Sequence, residues 1–293
     1  MIAASQTALT AAAARAAHLI VDQPPWIFAD TLAMALLGDQ GPILTDYHRA
    51  HGTHVVLAGA RGQVTCRSRY AEDAVAAAIG RGVRQYLILG AGLDSFAYRS
   101  DLARTVRVFE VDHADSQESK RARLSAATIP VPDNLAFVPF DFEKESLTGA
   151  LMRTAFDPAQ PAFVSWLGVT MYLTEAALAA TFAELGRLAR GTEMVADYML
   201  PADMRDEDGS TYAQQVAPVA AEHGEPWLTF LAPVQMSALL ARGGWTPVRH
   251  VRQQEVGDTG TWQRSDSLRP VALSVIAHAT VRRARRVTAR RAS

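Results

Sequence analysis

Two glycines and three acids between residues 90 and 112 carry the first chemistry that the sequence offers: Gly90, Gly92, Asp94, Glu110 and Asp112. The turn Gly90-Ala91-Gly92 follows an apolar run, Tyr86 to Leu89, and precedes a helical pattern. Glycines at such a turn let a ligand approach the backbone closely. An acid at the tip of the next apolar run, Val106 to Asp112, can accept both hydroxyl protons of a ribose. The spacing predicts a nucleotide-type cofactor at the carboxyl edge of a parallel sheet. A dinucleotide fingerprint would have a third glycine at position 95, where this chain has Ser95, and Asp94 would set a carboxylate against a pyrophosphate. S-adenosylmethionine has no phosphate and carries an ammonium and a sulfonium, which suit an acidic site. The expected cofactor is therefore S-adenosylmethionine, held by Gly90, Ala91, Gly92, Asp94, Glu110 and Asp112.

The elements that must position these residues belong to a chain of 293 residues, 49% hydrophobic and 20% charged. That length supports one large α/β domain or two small ones. No apolar run reaches the roughly 18 residues a membrane span needs. The Ala-rich start has no secretory pattern, and the single Cys66 excludes an internal disulfide framework. A cytoplasmic protein is expected. Its net charge of −1 is uneven: six of the 29 Lys and Arg residues lie in 281–293, leaving 23 against 30 acids in the body. An acidic body argues against nucleic acid as the main substrate, and the tail reads as a solvated, disordered segment. Neither a nucleic-acid nor a membrane partner is expected, nor a metal site; monomer and homodimer both remain open.

Taken in order, residues 5–20 read as an alanine-rich helix, and Trp26 to Leu37 as a second helix ending at Gly38. Together they suggest a helical cap over 1–62. Val64 to Gly80 reads as the helix before the first strand. Arg67 and Arg69 then fall at its amino end, where the helix dipole disfavours cations. Either one pairs with a ligand carboxylate, or they pair at the surface with Glu72 or Asp73. His113 to Leu124 reads as a polar helix and Asn134 to Asp141 as the third strand, with Asp141 and Phe142 beyond its end. There an acid can take an adenine amino group or merely cap the next helix. Residues 162–173 read as a buried strand with its loop, Thr174 as a helix N-cap, and 193–200 as the fifth strand. Leu200 to Trp227 reads as irregular, within a substrate-loop insertion over 200–230. Residues 233–243 form a helix, and 245–251 and 271–280 the last strands, paired antiparallel.

These motifs resemble the leucine carboxyl methyltransferase family of class I S-adenosylmethionine-dependent O-methyltransferases, in its actinobacterial, polyketide O-methyltransferase-like branch. The resemblance rests on CRSRY (66–70), LILGAGLDSFAYR (87–99), VFEVDH (108–113), FVPFDF (137–142), WLGVTMYLT (166–174) and GEPW (224–227). It implies a Rossmann-like fold, a mainly parallel seven-stranded sheet with helices on both faces and a helical N-terminal cap, as one domain over 1–280. It also implies roles. Arg67 pairs with the methionine carboxylate of the cofactor, and Arg15 reaches the same end. Gly90 and Gly92 flank the methionine portion, Asp112 holds the ribose beside His113, and Asp141 with Phe142 contacts adenine. Protein-modifying relatives have a glutamate where this chain has Leu167, so a backbone contact replaces it and a small-molecule substrate is expected.

The expected reaction is O-methylation of a carboxyl or hydroxyl group of a polyketide-like or other secondary metabolite. A carboxylate needs no base, whereas a phenol with a pKa of about 10 profits from one. Candidates for base or orienter are His113, Tyr172, Tyr198 and His223, with Met204 and Trp227 as candidate pocket walls. Two other readings compete: an NAD-dependent oxidoreductase, and a non-catalytic S-adenosylmethionine-binding regulator.

Overall fold

The computed structural model describes residues 5–281 of the chain; the six tail arginines lie outside the described residues. Four helices come first: α1 (Gln6–Val21), α2 (Ala33–Leu37), α3 (Gln40–His51) and α4 (Val55–Gly80). The Ser5 hydroxyl caps α1 by accepting from Ala8 N at 3.2 Å. Its run of alanines lets α1 lie close against α3 and α4. Only Ala33–Leu37 of the expected Trp26–Leu37 helix is helical. Helix α4 begins nine residues before the expected Val64, so Arg67 and Arg69 are mid-helix and the argument from the dipole falls away. Arg69 makes the surface pair, with Asp73 at 2.7 Å.

Strands and helices then alternate through β1 (Gln85–Leu89), α5 (Phe96–Arg99), β2 (Arg107–Asp112), α6 (Ala114–Ala126), β3 (Leu135–Pro139), α7 (Leu147–Leu151), β4 (Phe163–Trp166), α8 (Glu175–Leu185) and β5 (Glu193–Met199). The chain closes with α9 (Glu207–Glu222), α10 (Pro233–Arg242), β6 (Trp245–Val251) and β7 (Ser274–Val281). The segment expected to be irregular thus contains a 16-residue helix, α9, capped by Asp206, which accepts from Gly209 N at 2.7 Å.

The seven strands form one sheet in the order β3-β2-β1-β4-β5-β7-β6, parallel except for β7, which runs antiparallel between β5 and β6. Alternate residues serve opposite faces. Leu87, Leu89, Phe109, Val111 and Trp166 pack toward α7, α8 and α10, while Tyr86, Ile88, Val108 and Phe163 pack toward α4 and α5. Each fully buried side chain of this size contributes about 1.5–3 kcal/mol by leaving water. The strand order reverses between β1 and β4, so the connections leaving their carboxyl ends diverge and open a crevice. Among the described residues no helix is long and apolar enough to cross a membrane.

Candidate active site

A cavity of about 410 Å³ occupies that crevice, within the range of about 300–1,000 Å³ usual for small-molecule sites. Its floor is the glycine turn. Gly90 N donates to Val111 O at 2.7 Å, which locks the turn onto the end of β2. Gly90 has φ of +63°, and a Cβ there would overlap Val169 of the loop after β4. The Asp112 carboxylate accepts from Gly92 N at 2.6 Å and from His113 N at 2.7 Å, one through each oxygen. Burial raises its pKa, and the two N–H bonds offset only part of that rise. Asp94 lines the cavity and accepts from Phe96 N at 2.8 Å, just ahead of α5.

Arg67 reaches the cavity from α4, with Nη1 3.2 Å from Asp197 Oδ2, while Asp197 Oδ1 accepts from Gly168 N at 2.6 Å. A Cβ at Gly168, whose φ is +73°, would overlap the Arg67 guanidinium. The missing side chain is what lets the arginine lie flat there. Arg15 comes from α1; its Nε donates to Asp30 at 2.7 Å and its Nη2 to Leu93 O at 2.7 Å. Burial would raise the Asp30 pKa, but Arg15 and the Ser95 hydroxyl hold it below the ordinary carboxylate value. At the opposite end, Asp141 accepts from Lys144 at 2.8 Å, and Phe142 stacks on Trp166 with centroids 5.4 Å apart.

The cavity therefore brings together Arg15, Arg67, Gly90, Ala91, Gly92, Asp94, Asp112, His113, Asp141, Phe142, Leu167 and Tyr172. Three predicted residues lie elsewhere. Glu110 is 1% exposed and faces α6, where Lys120 Nζ meets its Oε2 at 2.7 Å; this ion pair keeps it in the core, outside the cavity lining. Tyr198 is buried on the α10 side of β5 and bonds to His250 Nδ1 at 2.9 Å. His223 is the exposed C-cap of α9, bonded back to Val219 O. Of the two wall candidates, Trp227 lines the cavity and Met204 packs against the sheet core.

The sequence reading missed Asp197 and Asp30, the buried acids that hold the two arginines. An acid inside the apolar run Glu193–Met199 was the available signal, since a buried charge requires a partner. It also missed Tyr212 of α9, and Glu225, which ties the start of α1 to the 224–227 loop. Ser5 Oγ donates to Glu225 Oε1 at 2.6 Å and Thr7 N donates to Oε2 at 3.3 Å.

This donor set fits S-adenosylmethionine: arginines at one end, a hydroxyl-accepting Asp112 in the middle, an acid and an aromatic plane at the other. Comparison with known proteins gives a match to the leucine carboxyl methyltransferase family over residues 8–186. A protein of Bacillus subtilis, described as a candidate S-adenosyl-L-methionine-dependent methyltransferase, is 31% identical over 204 residues, covering 69% of this chain and 67% of its own length. One of the same description from Mycobacterium marinum is 29% identical over 278 residues, 87% of this chain and 86% of its own. Among solved structures, a DUF574-family protein from Streptomyces avermitilis superposes with a TM-score of 0.61 at 15% identity, covering 92% of this chain and 97% of its own. A candidate methyltransferase from Thermobifida fusca gives 0.59 at 20% identity, covering 85% and 92%. At these identities the solved structures speak for the fold.

Proposed function

The chain belongs to the leucine carboxyl methyltransferase family, and from that premise we propose that it methylates an oxygen, in a carboxyl or hydroxyl group, of a small secondary metabolite. It is a methyltransferase that uses S-adenosylmethionine. That cofactor supplies a methyl group on a sulfonium, open to in-line displacement by a nucleophile. The single observation that carries the small-molecule reading is the shape of the cavity. Beyond the cofactor-binding residues it continues into a half walled by Met171, Tyr172, Met199, Tyr212 and Trp227, and α1 is fastened across it through Ser5 and Glu225. Such an aromatic-lined compartment suits a compact acceptor better than a protein tail. Oxygen as the acceptor atom is supported by the carboxyl chemistry in the family's description. A reducing, cytoplasmic location suits the free, buried thiol of Cys66.

The protein's work is alignment and exclusion of water. Asp112, with one lone pair on each oxygen engaged by the backbone, keeps others for ribose hydroxyls. Arg67, steadied by Asp197, offers its remaining N–H groups to the methionine carboxylate, with Arg15 alongside. Asp141 and Phe142 receive the adenine. Tyr172 orients the acceptor as a hydrogen-bond donor: burial raises its pKa, so the phenol stays protonated at neutral pH. His113 sits next to Asp112, at the ribose end. Calorimetric titration tests the cofactor: S-adenosylmethionine and S-adenosylhomocysteine should bind and NADH should not. Binding of NADH alone would overturn the reading in favour of an oxidoreductase. Transfer of labelled methyl to a panel of hydroxy and carboxylic acids, with product identified by mass spectrometry, tests the acceptor atom. Labelling of nitrogen compounds alone would overturn it.

A further inference from the structure

The far half of the cavity says what kind of molecule it takes. Its walls are Met171, Met199, Tyr212, Val216 and Trp227, with Tyr172 between them and the cofactor residues. The Tyr212 and Trp227 rings lie 17° from parallel with centroids 6.5 Å apart, and Phe230 continues the aromatic surface beyond Trp227. Methionines beside aromatic rings form an adaptable apolar surface suited to flat molecules.

Charge points the same way. Among the described residues, Arg15 and Arg67 are the only lysine or arginine side chains lining the cavity, against five acids: Asp94, Asp112, Asp141, Glu143 and Glu225. Both arginines are already neutralised by buried aspartates, Asp30 and Asp197, which are 2% and 0% exposed. The N–H groups left on Arg67 are engaged by the cofactor carboxylate in the reading above. No cation remains for an acceptor, and an unpaired carboxylate in an apolar compartment is costly to desolvate. Neutral donors do remain. The Tyr172 hydroxyl lies beside the Trp227 indole, whose Nε1 is buried without a partner of good hydrogen-bond geometry. Either donor can hold a hydroxyl oxygen without a counter-charge.

We propose that the acceptor is a neutral aromatic molecule methylated on a hydroxyl group, in preference to a carboxylic acid. The inference rests on the methyltransferase reading and narrows it. The acceptor oxygen forms the new bond to the methyl carbon, the sulfur keeps the electron pair of the broken carbon–sulfur bond, and the hydroxyl proton leaves to water at the cavity mouth.

The test compares 2-naphthol with 2-naphthoate, of like shape and opposite charge state, on the S-adenosylhomocysteine complex. Binding is read by calorimetry and by quenching of tryptophan fluorescence, and 2-methoxynaphthalene is sought by mass spectrometry with S-adenosylmethionine. Naphthol should bind about tenfold or more tightly than naphthoate, the equivalent of one uncompensated charge interaction. Val216→Lys, which brings a cation into the far half, should reverse the order. Equal or tighter binding of naphthoate to the wild type, a methyl ester product, or binding of neither probe would overturn the proposal. A Val216→Lys protein that folds and keeps the naphthol preference would overturn the charge argument behind it. Failure to bind S-adenosylhomocysteine at all would instead count against the methyltransferase reading.

Discussion

The two halves of the cavity are built by different means. The cofactor half is made of backbone: turns after β1, β2 and β4, closed by N–H bonds onto Val111, Asp112 and Asp197. The acceptor half is made of side chains, from α4, α9 and the 224–227 loop over Met171, Tyr172 and Met199 at the sheet edge, with α1 tied down by its contact with Glu225. A binding site fixed by sheet geometry has little freedom to drift, whereas one assembled from helices can be re-walled without disturbing the strands. One half can thus stay committed to a single cofactor while the other takes on new acceptors.

That contrast can be broken at its strongest point. Asp197→Ala leaves the Arg67 guanidinium and Gly168 N without their carboxylate, and should cost about 3–5 kcal/mol of stability in urea unfolding, together with cofactor affinity. A variant as stable as the wild type would mean that the cofactor half is not held by this pair. Next, Asp112→Ala should weaken S-adenosylhomocysteine binding by about 2–3 kcal/mol, roughly 30–150-fold by calorimetry, since two charge-assisted hydrogen bonds go with the carboxylate. Acceptor-side substitutions such as Trp227→Leu should leave that affinity within about threefold if the halves are separate.

The helical side has its own weak point, and pH sharpens the comparison there. Burial and the adjacent Arg61 bring His48 down to about 4, against about 6.5 when unfolded. The folded protein thus keeps His48 neutral where the unfolded chain would protonate it. Stability from this group is whole above pH 6.5 and is lost as pH falls toward 4. Between pH 7 and 4.5 the wild type should lose about 2 kcal/mol more than His48→Gln, measured by denaturant unfolding at each pH. The smallest effect is expected at the clasp. Ser5→Ala removes both the α1 cap and the Glu225 contact, and should cost about 1 kcal/mol, seen as roughly fivefold faster release of S-adenosylhomocysteine in stopped flow.

The same division decided what could be read in the sequence. The parallel strands were legible because their apolar runs end in glycine or acid, as Tyr86–Gly90 and Val106–Asp112 do, and those endings are the cofactor half itself. The helices of the acceptor half were legible only in part, α4 from Val64 onward and α9 not at all. The first turns of α4 contain Gly59 and Gly62, which lower helix propensity. Yet Gly59 is there because the Tyr212 ring lies against it, 3.1 Å from where a Cβ would stand. Helix α9 contains Gly209 and Pro218 and reads as loop for the same reason. A Cβ at Gly209 would meet Ala272 O at 2.5 Å, a contact that only tertiary packing makes visible. Glu110 failed in the opposite direction: it shares a face of β2 with Asp112, two residues on, but lies short of the strand's end, where Lys120 of α6 covers it.

The position of β7 has a consequence for how the protein is made. It is the last of the described strands to be synthesised, yet it lies between β5 and β6 and pairs with both. Until residues 274–281 leave the ribosome, one edge of β5 has no partner and β6 has no strand to pair with. From the completion of β5 at Met199 to that of β7 at Val281, a nascent chain therefore carries an unpaired, apolar strand edge, the kind of surface that invites chaperones or aggregation. Premature termination before Ser274 would split the sheet rather than trim its edge.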